Sequence, residues 1–413
     1  MPDVLQGVLG VEDVLAGKKY RDVTPGIQKK YKTIDPMYRI FNKMPKGRVA
    51  TNEKVEWTLK EEIPSWAYLT TTVGESATAG AAVELIPAET EGGSADATYF
   101  KVGDIIEVPS RADNGTTTTN IGRVATWNTG VSIEIDPIGW ASNVYAASAA
   151  NDLKFVATTT NDMIHVISDS SEEYSQKPTM KVVKDTQEFN YIQFLRVPYI
   201  IGNIQKDGKN YTGPERAERK DETYRHARLQ AEETFMHGKR FYVDGTNGRQ
   251  FFMGGLKRYI TDGAGTNILN NWSAGLTEAQ WDEFLVKGPG YYGSNRRLCF
   301  FAADLFLKIN SFAKTKERIQ GTVNMYGLEF TKYLSPDNKI YYMHMHHLLK
   351  NDYAGAGMII DPEYLKIRPY GTQGTMSLQT DIQENDRAGT ADEWQIIMSL
   401  EVSRIEPHAW ITM

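Results

Sequence analysis

Three of the chain's seven histidines crowd into one short stretch, KIYYMHMHHLLKNDY at residues 339–353. Imidazole is a common metal ligand, so His344, His346 and His347 first suggest a zinc centre. Strand geometry weakens that reading. Residues i and i+2 face the same side of a strand, so His344 and His346 would point together and His347 away. A structural zinc site takes four ligands, and a catalytic one takes three plus water. The nearby acids, Asp337 and Asp352, sit at no zinc-ligand spacing, and HExxH and CxxC are both absent. The simpler expectation is a half-exposed strand whose polar residues alternate with Tyr341, Met343 and Met345.

Other stretches invite chemistry and fail in the same way. GPGYYGSNRR at 288–297 is glycine-rich and ends in two arginines, like a phosphate cradle. It matches neither GxxxxGKS/T nor GxGxxG, and a strand follows it where a phosphate loop would open a helix. It reads as a turn. DGTNG at 244–248 lacks the later acidic ligand of a calcium loop. The single cysteine, Cys299, lies among apolar neighbours in RRLCFF and reads as a buried, inert thiol. No GxSxG elbow is present, and no carboxylate pair stands out as an acid–base couple. No catalytic residue, cofactor or metal is therefore expected.

The elements that would position such residues follow from the patterning. Residues 1–50 hold Pro25, Pro36 and Pro45, isolated glycines and many basic residues, with no sustained period; they read as an arm. In RVATNEKVEWTLKEEI, Val49, Thr51, Val55 and Trp57 fall at strand spacing. FKVGDIIEVP, TTTTNIGRVATWN and VSIEIDPIGW read as short strands between turns, so residues 98–157 predict a small β-barrel or sandwich. The clearest helix is TGPERAERKDETYRHARLQAEETFMHG. Thr212 with Glu215 fits a capping box, and Gly238 fits a stop. Glu215–Arg219 and Asp221–Arg225 are i,i+4 pairs with the acid first. Ala217, Tyr224, Ala227, Ala231 and Phe235 form a thin stripe on a helix of about 37 Å. Downstream, LTEAQWDEFLVKG carries a second capping box at Thr277 and Gln280, with Trp281, Phe284 and Leu285 on one face. RRLCFFAADLFLKINSFAK predicts a buried strand running into a helix. YLSPDNKIYYMHMHH predicts two strands around a turn, and AGMIIDPEYLKIRPY holds another. The final DEWQIIMSLEVSRIEPHAWITM predicts two strands parted at Pro407.

Composition is that of an ordinary folded protein, 41% hydrophobic and 24% charged. No apolar run is long enough for a membrane span, and the first residues lack the pattern of a secretory signal. The net charge of −6 hides a segregation: residues 17–60 carry +8 and residues 61–175 carry −13. Such blocks suit two different neighbours or two faces.

In order and spacing, these motifs resemble the major capsid proteins of tailed bacteriophages with the Hong Kong 97-type fold, in the branch whose extended loop carries a β-domain. RVATNEKVEWTLKEEI resembles the start of that loop, PERAERKDETYRHARLQAEETFMHG the spine helix, and GSNRRLCFFAADLFLKIN with YLSPDNKIYYMHMHHLL the axial domain. The resemblance covers nearly the whole chain from residue 48. It implies an α+β fold with an N-terminal arm at 1–47 and an extended loop at 48–190, including the inserted β-domain at about 98–157. A peripheral domain follows at 191–260 with its spine helix at about 213–238, then a mainly axial domain at 261–375 and closing peripheral strands at 376–413. It further implies hexamers and pentamers of an icosahedral shell around double-stranded DNA, assembly in the host cytoplasm, and scaffolding, portal and decoration proteins as partners. Candidate self-assembly contacts are Lys54, Trp57, Arg216, Arg219, Arg225 and Arg228. Two alternatives remain: another virion component such as a tail or decoration protein, and a metal-dependent enzyme.

Overall fold

The structure is a computed structural model. It describes residues 35–60, 65–75, 81–88, 93–110, 118–128, 130–140, 155, 157–171, 173–174, 180–210, 213–263, 267–269, 275–316, 319–371 and 375–412. The chain divides into two compact units. One is Lys60–Thr186; the other joins the described residues through Leu59 to Gln187–Met413.

The described part of the arm is not wholly irregular, as the sequence suggested. It contains helix α1 (Pro36–Lys43), which buries Met37, Tyr38, Ile40 and Phe41. Eight residues are too few to hold a helix in water, so packing against the subunit supplies the stability. Strand β1 (Lys54–Leu59) follows and alternates as predicted, with Val55 and Trp57 inward.

The Lys60–Thr186 unit contains β2 (Trp66–Leu69), β3 (Val83–Leu85), β4 (Pro87–Ala88), β5 (Asp104–Ser110), β6 (Thr118–Asn128), β7 (Ser132–Trp140) and β8 (Met163–Asp169). They form one sheet in the order β3-β7-β6-β5-β8-β2-β4. Leu85 on β3 and Leu69 on β2, from opposite ends of that order, share a core with Ile106, Val124, Ile133 and Ile164. The sheet therefore curls around its own interior. The β-unit is wider than the expected 98–157, because β2, β3, β4 and β8 pair into the same sheet. The short apolar runs of β2, β3 and β4 lie within Thr- and Ala-rich sequence, which hid them from a local reading, whereas NDMIHVIS at 161–168 reads as a strand and forms β8.

The second unit resumes with β9 (Thr186–Tyr191), which pairs with β1. Then come β10 (Gln193–Ile201), α2 (Asn203–Asp207), α3 (Glu215–His237), the hairpin β11 (Phe241–Gly245) and β12 (Gly248–Phe252), and α4 (Leu256–Gly263). After β13 (Ile268–Leu269) come α5 (Glu278–Lys287), β14 (Arg296–Phe301), α6 (Ala303–Lys316), β15 (Ile319–Met325), β16 (Leu328–Leu334) and β17 (Ile340–Met345). The chain closes with β18 (Gly357–Ile360), β19 (Leu365–Pro369), β20 (Met376–Gln379), β21 (Thr390–Val402) and β22 (Ala409–Ile411).

Two sheets carry this unit. The larger is mixed, in the order β13-β22-β18-β14-β17-β16-β15. Its centre is covered on both faces: Leu298, Phe300, Met358, Ile360 and Trp410 join one core, while Cys299, Phe301, Met343, Ile359 and Ile411 join another with Trp281 and Leu285 of α5. Burial on both faces explains why LCFF, residues 298–301 of β14, is a continuous apolar run. The smaller sheet is β10-β21-β19, with β20 also on β21. The closing segment thus divides between sheets: β21 pairs with β10, whereas β22 pairs with β18 and β13. Among the described residues, no helix is long and apolar enough to cross a membrane.

Candidate functional site

Helix α3 is the element from which the site is built. Its residues are mostly strong helix formers, and its charged side chains pair along the surface. Arg219 bonds Glu215 at 3.0 Å and Glu222 at 2.8 Å. Thr212 of the expected capping box lies outside the described residues. Pro214 occupies the N-cap position and offers no side-chain cap. Gly238 ends the helix as expected, but for another reason. Its φ of −50° is not left-handed. A Cβ there would meet the Thr234 carbonyl at 2.6 Å, so close backbone approach requires the glycine.

The expected stripe is buried only in its second half. Ala227, Ala231, Phe235 and Met236 are fully buried, while Ala217 is exposed. The first turns of α3 therefore stand out from the core and are tied down by polar contacts. Arg216 forks onto Asp392 of β21 at 2.8 and 2.7 Å and also reaches Asp381 at 3.1 Å. Burial alone would raise the Asp392 carboxyl. Arg216, the Tyr199 hydroxyl and the Asp381 amide overcome that and hold it at about 2. Trp394 of β21 adds a ring contact to Tyr224 at 5.0 Å and donates its indole N–H to the Lys220 carbonyl at 3.2 Å.

One turn from the end of α3, Glu232 is fully buried. Its Oε1 accepts the Met37 amide at 2.9 Å and its Oε2 the Tyr38 amide at 2.7 Å, both in the first turn of α1. The Nε2 of His346 lies 2.7 Å from Oε1. The Nδ1 of the same ring accepts the Leu348 amide at 3.3 Å, which assigns the ring proton to Nε2. Beside this centre, Arg228 pairs with Asp35, which also holds Arg39 at 3.3 Å. The Arg228 guanidinium lies over Tyr224 at 5.2 Å and Tyr38 at 5.6 Å. Phe41 meets Phe235 edge to face at 5.0 Å.

The histidine motif thus resolves into separate fates. His344 and His346 do share a face, for both rings meet Phe300, at 6.4 and 5.9 Å. His344 bonds the Glu329 carbonyl through Nδ1 at 2.9 Å, and burial holds it below the usual imidazole range. His346 lies beyond the end of β17 and is buried, not half-exposed on a strand. His347 is half-buried. Among the described residues, no group of three or more His, Cys, Asp or Glu side chains could hold a metal ion.

The six candidate contact residues are mostly engaged within the subunit. Trp57 is buried against Tyr259, with ring centroids 6.4 Å apart. Lys54 pairs with Glu56 and lies 4.3 Å over the Phe189 ring, yet keeps 44% of its side chain exposed. Arg219 is half exposed, Arg225 half-buried, and Arg216 and Arg228 hold the contacts above. The DGTNG stretch forms the tip of the β11–β12 hairpin, whose first strand is exposed throughout. The glycine-rich GPGYYGSNRR is a turn, as predicted, packed around a buried guanidinium. Arg297 donates to the carbonyls of Pro407 and Tyr292, and Asp361 accepts the Ser294 amide at 2.7 Å and its hydroxyl at 2.9 Å. Gly293 has φ +83°, and a Cβ there would lie 2.6 Å from the Asp361 carboxylate, which leaves no room for a phosphate. Sequence reasoning missed Glu232, Asp361, Arg297 and His408 as buried polar anchors, because nothing local distinguishes them from surface residues.

A family model described as SU10 major capsid protein matches residues 17–412. A solved structure from Microbacterium phage Oxtober96 aligns over 98% of this chain and 99% of its own, at 9% identity and a TM-score of 0.47. One from Mycobacterium phage Bobi covers 98% and 99%, at 6% identity and 0.45. The holo-SrpI encapsulin complex from Synechococcus elongatus PCC 7942 covers 56% and 76%, at 11% identity and 0.39. A comparison with curated proteins finds no match.

Proposed function

The chain belongs to the SU10 major capsid protein family, and from that premise we propose that its copies tile a closed icosahedral shell of hexamers and pentamers around double-stranded DNA, with no reading of base sequence. It is a major capsid protein of a tailed bacteriophage with a Hong Kong 97-type α+β fold, a structural component of the virion head and not an enzyme. The observation that carries the function is the extent of the family match, from residue 17 to residue 412. The physical features suit the role. Closed symmetric assemblies repeat one set of interfaces many times, each burying on the order of 1,200–2,000 Å². A β-unit inserted in the sequence between β1 and β9, and a helix whose first turns stand clear of the core, supply contact area.

In this reading, residues 1–47 are the arm, the loop inserted between β1 and β9 is the extended loop with its β-domain, α3 and the smaller sheet form the peripheral domain, and the larger mixed sheet with α5 and α6 forms the axial domain. Of the candidate contacts, Lys54 and Arg219 offer the most free surface to a neighbouring copy, with side chains 44% and 50% exposed. Arg216, Arg228 and Trp57 act indirectly, by fixing the elements that present it. Scaffolding, portal and decoration proteins are the further partners, and assembly takes place in the host cytoplasm.

Expression of the protein, alone and with the products of neighbouring genes, followed by negative-stain electron microscopy, tests this. Capsomers or shells are the expected outcome. A persistent small monomer under every condition would sink the reading.

A further inference from the structure

We propose that Glu232, His346 and the first turn of α1 form a latch, a conformational device that docks the arm helix on α3 only while three sequence-distant elements hold their places. The first four amides of any helix lack intrahelical acceptors. In α1 the N-cap residue is Asp35, and its side chain makes no capping bond. It is turned instead to Arg39 and Arg228. The cap comes from elsewhere in the chain: Glu232 takes the Met37 and Tyr38 amides, one on each carboxylate oxygen. A carboxylate at a helix N-terminus also meets the positive end of the helix dipole.

His346 completes the arrangement. Its Nε2–H donates to Oε1 of Glu232, and its Nδ1 is held by the Leu348 amide. Both side chains of the pair are fully inaccessible to water. A buried carboxylate is tolerated only while its donors stay in place. If α1 leaves, Glu232 loses two donors at once; if the 346–348 turn shifts, it loses the third. Docking is thus a two-state event, joined to the relative placement of α3 and the strand end that carries His346. Helix α1 is the described part of the arm, so the latch fixes it to the rest of the subunit. This holds for a single subunit and does not depend on shell formation.

The test uses the purified, soluble full-length subunit, with two readouts: amide exchange at Met37 and Tyr38, and tryptic cleavage after Arg39, whose following residue Ile40 is fully buried. The variants are Glu232→Gln, His346→Leu, His346→Gln and the double Glu232→Gln/His346→Leu. Loss of one charge-assisted bond should speed both readouts about tenfold in Glu232→Gln and in His346→Leu. The double variant should add little to either single one. His346→Gln, whose amide can still donate, should stay close to the unmodified protein. Amides of Ile135 and Ile164 in the Lys60–Thr186 unit serve as a reference and should not change. The proposal is overturned if neither single variant accelerates opening, if His346→Gln opens as readily as His346→Leu, or if the reference amides accelerate in step. The unmodified protein gives a second measurement should the variants not fold. Met37 and Tyr38 must exchange as slowly as the core of α3; exchange at the rate of a frayed helix end overturns the latch.

Discussion

His237 and His408 are held far below the ordinary imidazole range, at about 4 and about 3. Burial is the main cause for both, with the positive charge of Lys257 adding to it at His237 and that of Arg297 at His408. His408 accepts the Asp361 amide on Nδ1 at 3.1 Å, deep between the closing strands. In the unfolded chain both rings take up protons below about pH 6.5. The folded chain resists protonation until the lower values are reached, so the unfolded state binds more protons between those limits and stability falls as pH falls. Urea unfolding should show a midpoint that drops between about pH 7 and about pH 4.5, with His408 alone costing about 2 kcal/mol over that span. A midpoint independent of pH there would contradict the burial of these rings. Single residues of this kind were invisible in the sequence. Cys299, flanked by phenylalanines and leucine, announced its burial. Glu232, in the helix stretch AEETF, looked like its solvent-facing neighbour Glu233.

Helix α3 illustrates how an element can be predicted and still be misjudged in its contacts. Its extent, its Gly238 stop and its Glu215–Arg219 pair follow from local chemistry. That its exposed first turns are clamped to β21 through Arg216 and Asp392 does not. Asp392 is 1% exposed. Removing its partner in Arg216→Ala leaves a buried carboxylate short of donors, and the partial exposure of the arginine moderates the loss to about 2–3 kcal/mol. Arg216→Lys should recover only part of it, because a single ammonium cannot make the fork. Chemical denaturation of the soluble subunit measures both, and equal stability of the alanine variant and the parent would show that the clamp does not hold α3. Helix α5 is the opposite case: both arms of the Thr277–Gln280 capping box form, at 3.4 and 3.1 Å, as the sequence indicated.

For the whole molecule, the charge segregation would acquire a use in the proposed shell. Residues 17–60 carry +8 and residues 61–175 carry −13. A basic arm of one subunit placed against the acidic β-unit of another would help set register between copies. Screening at about 1 M salt shortens electrostatic reach to about 3 Å. Shell yield, followed by light scattering, should therefore decline as salt rises from about 0.05 M to about 1 M. Yield that stays constant over that range would leave the segregation as solvated surface.

By itself the sequence determined helices α3 and α5, the strands with clear alternation or apolar runs such as β1 and β14, the inertness of Cys299, the turn at GPGYYGSNRR and the segregation of charge, since each rests on interactions within a few residues or on composition. Tertiary structure alone decided the rest. It gave α1 a helix where three prolines suggested an irregular arm, because the acceptors and the apolar cover for that helix come from residues nearly two hundred positions away. It sent β21 and β22 to different sheets, although only a short turn parts them. It also drew His346 out of a row of three histidines and buried it against Glu232. A side chain's own neighbours in sequence set its local geometry, but which distant surface covers it, and hence whether its charge is solvated or held, is fixed only when the chain closes on itself.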